Sequence, residues 1–191
     1  MVCIPVELFW KYLKLLKKEY DRACKADPQS PVAFYNRGFA NRCLERLDDS
    51  LADYTKTLEL DQFFQAAWVS RGLVYAKKKK FQEALKDYTK ALELNPNDAM
   101  TFGYRGDSLV QICGFNRAIK DFTTAYTLKP KDHTLLVRRG HCYRKIGDYL
   151  QAKEDVEKAL SVSPNDVSAL LVKANVERNM SRFKEVCFNC T

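Results

Sequence analysis

Gln65-Ala-Ala-Trp68-Val-Ser-Arg71-Gly72-Leu-Val-Tyr75 reads as one helix, and Phe81-Gln-Glu-Ala84-Leu-Lys-Asp87-Tyr88-Thr-Lys-Ala91 as a second. Trp68, Gly72 and Tyr75 are spaced by four and three, so they share a face, and Ala84, Tyr88 and Ala91 do the same on the second helix. The lysine turn Lys77-Lys-Lys-Lys80 separates them. Asn95-Pro96-Asn97-Asp98 ends the pair, with Asp98 suited to cap whatever helix follows.

Working outward, Gly72 has counterparts at Gly38, Gly106 and Gly140, a constant step of 34 residues, each preceded by an arginine (Arg37, Arg71, Arg105, Arg139). The pattern returns with Phe102, Leu109, Phe115, Ala118, Phe122, Ala125 and Pro130, and again with Leu136, Tyr143, Tyr149, Ala152, Val156, Ala159 and Pro164. Upstream it is looser but recognisable in Phe34, Leu47, Ser50, Tyr54 and Thr57. A period of this length is the signature of stacked helical hairpins. Glycine inside a helix costs roughly 1 kcal/mol relative to alanine. Four at one phase therefore need a cause, and close approach of the partner helix, with large side chains seated over small ones, supplies it.

These residues resemble the tetratricopeptide repeat. The resemblance implies an all-α fold, an α-solenoid of stacked antiparallel helix pairs forming a right-handed superhelix. It implies one repeat domain over residues 1–191: a half repeat at 1–30, full repeats at 31–64, 65–98, 99–132 and 133–166, and a truncated repeat at 167–191. A helix from about Pro5 to Ala26 would be the second helix of a preceding unit. The last segment would carry one helix to about Met180 and a second opened by Phe183, as in a shortened form or a piece of a longer array. One junction departs from the pattern: Asp61-Gln62-Phe63-Phe64 lacks the proline, which predicts a tighter or shifted turn with one phenylalanine tucked into the stack.

Composition bounds the function class. At 46% apolar and 29% charged residues the chain is too hydrophobic for a disordered one. No stretch approaches the ~20 apolar residues of a membrane helix, and Met1 to Trp10 lacks the order of a secretory signal. Seven scattered cysteines suit free thiols in a reducing compartment. The expected location is cytoplasmic, and the resemblance extends to arrays in ciliary transport, chaperone and scaffold assemblies. Cys187-Phe-Asn-Cys190 lacks the second ligand pair that a structural zinc needs. With two histidines, no phosphate loop and no nucleophile motif, we expect no enzyme, no cofactor and no metal.

Asp53, Asp87, Asp121 and Asp155 follow the arginines by 16 residues, and Glu19 extends the series toward Arg37. This reads as a ladder of ion pairs between packed helices, bidentate where geometry allows.

The resemblance implies a concave groove lined by the first helix of each pair. Its residues would be Tyr35, Asn36, Phe39 and Arg42, then Val69, Ser70, Leu73 and Ala76, then Met100, Tyr104 and Asp107. Arg138, His141, Arg144 and Lys145 follow, then Leu171, Asn175 and Arg178. Of these we single out Tyr35, Asn36, Phe39, Val69, Leu73, Met100, Tyr104, Arg138, His141, Arg144 and Arg178. The early set is apolar and aromatic and the later one positive, which suits a partner's peptide segment with an apolar and an acidic end.

One subclass of the family clamps acidic chaperone tails with lysine, asparagine and arginine. At those places the first three units offer Tyr35, Phe39, Ser70, Met100 and Tyr104, none of which matches. One unit along, only Arg138 fits among Val69, Leu73, Tyr104, Thr134 and Arg138. The last register, Gly103, Asp107, Arg138, Ser168 and Val172, fails as well. This argues against tail capture by that clamp. A formal net charge of +8 supports a rival reading, binding of nucleic acid or an anionic surface. Against it, aromatics and positive charges separate along the groove instead of interleaving, and the turn at Lys77–Lys80 reads as solvated.

Overall fold

The computed structural model describes residues 6–188, with side chains at Leu8 and over 10–181. They form ten α-helices: α1 (Val6–Ala26), α2 (Pro31–Cys43), α3 (Leu47–Leu60), α4 (Gln65–Lys77), α5 (Phe81–Leu94), α6 (Ala99–Gln111), α7 (Phe115–Leu128), α8 (His133–Lys145), α9 (Tyr149–Val162) and α10 (Val167–Phe188). The helices fall into two compact units, residues 1–96 and 97–191. In the first, α2 pairs with α3 and α4 with α5, α1 packs on α2, and α3 packs on α4. In the second, α6 pairs with α7 and α8 with α9, α7 packs on α8, and α10 lies against α9 and α8.

Each pair closes through three residues whose middle member takes a left-handed backbone. These are Glu45 (φ 60°), Lys79 (φ 59°), Cys113 (φ 58°) and Gly147 (φ 86°). That conformation lets the next two amides turn back onto the helix end, as Lys79 N donates to Ala76 O and Lys80 N to Tyr75 O, both at 2.9 Å. Glycine adopts it without penalty; the other three turns hold it with side chains present.

The pairs seat as the spacing predicts. Tyr54, Tyr88, Phe122 and Val156 of the second helices lie over Gly38, Gly72, Gly106 and Gly140 of the first. All four large side chains are buried, each contributing roughly 1.5–3 kcal/mol through burial. Asp98 and Asp132 cap α6 and α8, accepting from Met100 N and Thr134 N at 3.0 and 3.1 Å.

The arginine series is bidentate within each repeat. Arg71 Nε and Nη2 donate to the two oxygens of Asp87 at 2.8 Å, and Arg105 and Asp121 repeat this geometry at 2.8 Å. Arg139 holds Asp155 at 2.8 and 2.6 Å. The link to the preceding repeat runs through threonine: Arg71 Nη1 to Thr55 Oγ1 at 3.2 Å and Arg139 Nη1 to Thr123 Oγ1 at 3.0 Å. Glu19 does not extend the ladder. It bonds Arg22 at 3.0 Å on its own helix, and Asp21, 16 residues before Arg37, reaches that arginine at 3.5 Å.

Two further expectations need correction. The junction at Asp61–Phe64 is neither tighter nor shifted: like Asn95–Asp98 it occupies four residues between helices, opened by an extended residue (Asp61 φ −145°, Asn95 φ −136°). Asp61 accepts from Phe63 N at 2.9 Å, an Asx turn that does the work of the missing proline. Phe64 is the phenylalanine that tucks in, its ring 5.0 Å from that of Tyr35, while Phe63 stands 71% exposed. Secondly, α10 continues without a break where a turn after Met180 was expected. Extending a helix adds one backbone hydrogen bond per residue, whereas reversal needs a left-handed residue. Ser181 Oγ donates to Glu177 O at 3.0 Å inside the continuous helix. Pro5, Cys190 and the side chains of Phe183 and Cys187 lie outside the described residues.

Candidate functional site

The face expected from α2 and α4 is partly used up by stacking. Tyr35 packs its ring between Tyr54 and Phe64, at 5.7 and 5.0 Å, and its hydroxyl meets Ser70 Oγ at 3.4 Å. It joins α2 to α4 and offers little to a ligand. Phe39 is 41% exposed with the Arg42 guanidinium 5.1 Å from its ring centre. Asn36, Val69 and Leu73 are half-buried. This unit presents Phe39 over an apolar floor.

In the second unit the structure brings three expected residues together. Met100, Tyr104 and Arg138 line one recess of about 150 Å³, with Gly103, Lys129, Asp132 and Leu135. Met100 is 54% exposed at the rim and Leu135 is buried at the base. Gly103 opens the space. Its counterparts at the same phase are Tyr35, Val69 and Val137. A Cβ built at Gly103 would come no nearer than 3.8 Å to Arg138 Nη1 and Leu135 Cδ2. Packing therefore does not require this glycine, in contrast with Gly106 one turn later. Sequence reading overlooked it, although the period exposes it: no other repeat has glycine there.

Arg138 is held in place by Asp107, whose Oδ2 accepts from Nη1 at 3.0 Å. Burial pushes the Asp107 carboxyl up, and the neighbouring Arg138 pulls it back. His141 is half-buried; burial first, then Arg144 and Lys145, holds its imidazole below the ordinary range. Arg144 has a buried Nε without a partner. Arg178 is exposed on α10 and bonds Asn175 at 2.9 Å, three residues before it.

The lysine turn is less solvated than expected. Lys77 pairs with Glu45 at 2.6 Å and Lys78 with Asp48, both on the preceding turn; Lys79 and Lys80 are exposed. Among the described residues no cluster of three His, Cys, Asp or Glu is placed to hold a metal ion. None of the described helices is long and apolar enough to cross a membrane. Cys24, Cys43, Cys113 and Cys142 are free thiols.

Residues 66–98 and 133–166 match the tetratricopeptide repeat. No curated protein matches the chain in sequence. Among solved structures, MamA is 20% identical, covering 78% of this chain and 81% of its own with a TM-score of 0.73. The Arabidopsis OM64 TPR domain is 24% identical over 60% of this chain and 94% of that one, with a TM-score of 0.57. The first TPR of Spaghetti (RPAP3), bound to the HSP90 peptide SRMEEVD, is 23% identical over 61% and 93%, with a TM-score of 0.59. At these identities the likeness is one of fold.

Proposed function

The chain belongs to the tetratricopeptide repeat family, whose members generally mediate protein–protein interactions, and from that premise we propose that it is a non-enzymatic scaffold holding a peptide segment of a partner protein. The observation that carries this reading is the recess at Gly103. A helix-interior glycine that packing does not demand is a standing cost of roughly 1 kcal/mol. It opens a gap floored by Leu135 and edged by Met100 and Tyr104, sized for one apolar side chain. Arg138 and Lys129 lie at the same opening against one carboxylate, Asp132, which is already engaged in capping α8. A ligand with an apolar residue next to an aspartate or glutamate fits both halves.

Arg144 and His141 continue the positive character along α8, and Phe39, Val69 and Leu73 form a separate apolar face in the first unit. The chaperone-tail clamp remains without its residues: Tyr35 and Phe39, in the lysine and asparagine places, are an inter-helix stacking residue and an exposed ring. Nucleic-acid binding is the weaker reading, since two of the four turn lysines are neutralised by Glu45 and Asp48.

Selection of a random peptide library on the full chain tests this. Enriched peptides should pair an apolar residue with an acidic one, and Gly103→Val should lower their affinity about tenfold, as should Arg138→Gln. Glutamine is preferred to a charge reversal because Asp107 sits 3.0 Å from the guanidinium. Enrichment lacking acidic residues, or unchanged affinity in both variants, would overturn the proposal. Salt separates the rival: affinity for a single-stranded oligonucleotide should collapse with ionic strength, whereas an apolar-anchored peptide loses much less.

A further inference from the structure

Asn41 interrupts the period where the other repeats place a large side chain. Its counterparts are Tyr75, Leu109 and Tyr143; the rings of Tyr75 and Tyr143 lie 5.9 Å from the guanidinium groups of Arg71 and Arg139. With an amide in place of a ring, a recess of about 250 Å³ opens between α1, α2 and α3, lined by Lys17, Asp21, Arg37, Asn41, Arg46 and Asp49. Arg37 and Asn41 lie roughly half a turn around α2 from Tyr35 and Phe39. The recess is therefore separate from the peptide face and independent of the reading given for it.

Asn41 is 2% exposed. Its Nδ2 donates to Asp53 Oδ2 at 2.8 Å, which fixes the orientation of the amide. Its Oδ1 is buried and accepts no hydrogen bond, a state folded proteins rarely leave uncompensated. The charges around it are balanced: Lys17 with Asp21 at 2.7 Å, Arg37 with Asp53 at 2.6 Å, Arg46 with Asp49 at 2.7 Å. A free cation or anion entering here would meet no net opposite charge and would compete with formed pairs. A neutral group bringing its own N–H donor meets neither obstacle.

We infer that this recess binds a primary carboxamide, presented as the asparagine or glutamine side chain of a partner segment. Its NH₂ donates to Asn41 Oδ1, and its carbonyl accepts from the Arg46 guanidinium, which spends only Nε on Asp49 at 2.7 Å. The same lining binds a glutamate or lysine side chain less well, because each adds an unbalanced charge.

Titrating the full ¹⁵N-labelled chain with N-acetyl-glutamine N-methylamide tests the inference, with the matching glutamate and lysine derivatives as controls. The Asn41 side-chain NH₂ and Arg37 Nε–H resonances should shift saturably with the glutamine probe and at least tenfold more weakly with the other two. The response should vanish in Asn41→Tyr, which restores the ring carried by two other repeats, and in Asn41→Leu, which copies Leu109 should the tyrosine variant not fold. No saturable shift, equal response to all three probes, or a response that survives these substitutions would overturn it.

Discussion

Gly106 lies so close beneath the Phe122 ring that a Cβ there would stand 2.7 Å from Phe122 Cε1. The ring is fully buried and cannot swing aside. Gly106→Ala should therefore destabilise the chain by about 1–3 kcal/mol despite alanine's better helix propensity. Gly103→Ala, on the same helix with nothing nearer than 3.8 Å, should be neutral or stabilising by about 0.4–1 kcal/mol. Urea melts of the two variants give the comparison, and equal destabilisation by both would refute the distinction.

The Arg71–Asp87 pair is enclosed, with side-chain exposures of 15% and 5%. Arg71 is also stacked 4.9 Å from the Trp68 ring centre. Arg71→Met leaves a buried carboxylate without its partner and should cost about 3–5 kcal/mol. Adding Asp87→Leu removes that stranded charge and should recover much of the loss, so the two substitutions will be far from additive. Simple additivity in a double-mutant cycle would mean that the ladder does not act as pairs.

Much of this was legible in the sequence because a repeat states each contact several times. The recurrence of Gly72 with Tyr88 and of Arg71 with Asp87 at fixed offsets gave helix pairing, packing and ion pairing together. What escaped depends on single residues. Asp61 substitutes for proline through a side-chain bond that no periodicity reveals. Tyr35 falls at a groove phase, yet Phe64, present only at that junction, draws it into the stack. The continuity of α10 was hidden because the spacing rule predicts a turn wherever the period does, while the local residues favour helix. Gly103 and Asn41 were visible as departures from phase, but whether such a departure leaves a gap or is filled by neighbours is a three-dimensional matter.

Cys142 is buried within α8, and burial chiefly pushes its thiol up to about 12. At pH 8 its thiolate fraction is then on the order of one in 10⁴, and the thiolate is the reactive form. Cys24 is buried and shifted upward as well, mainly by burial, whereas Cys113 is exposed in a turn. Iodoacetamide at pH 8 should modify Cys113 at least 100-fold faster than Cys142 in the native chain, with the difference disappearing in denaturant. Peptide mass mapping over time reads this directly; comparable native rates would show that α8 opens readily.

His141 gives the chain a specific pH response. Burial and the neighbouring Arg144 and Lys145 disfavour its protonated form in the folded state. As pH falls through about 6.5, the usual imidazole value, the unfolded chain takes up this proton first, so folding stability drops. The loss continues to the lowered folded value and then levels off. His141→Gln removes that contribution while His133 and the carboxylates remain in both proteins. The variant's urea midpoint should therefore fall less than the parent's between pH 7 and pH 5. Parallel curves over that range would mean that His141 titrates alike in folded and unfolded chains, and that α8 does not shield it.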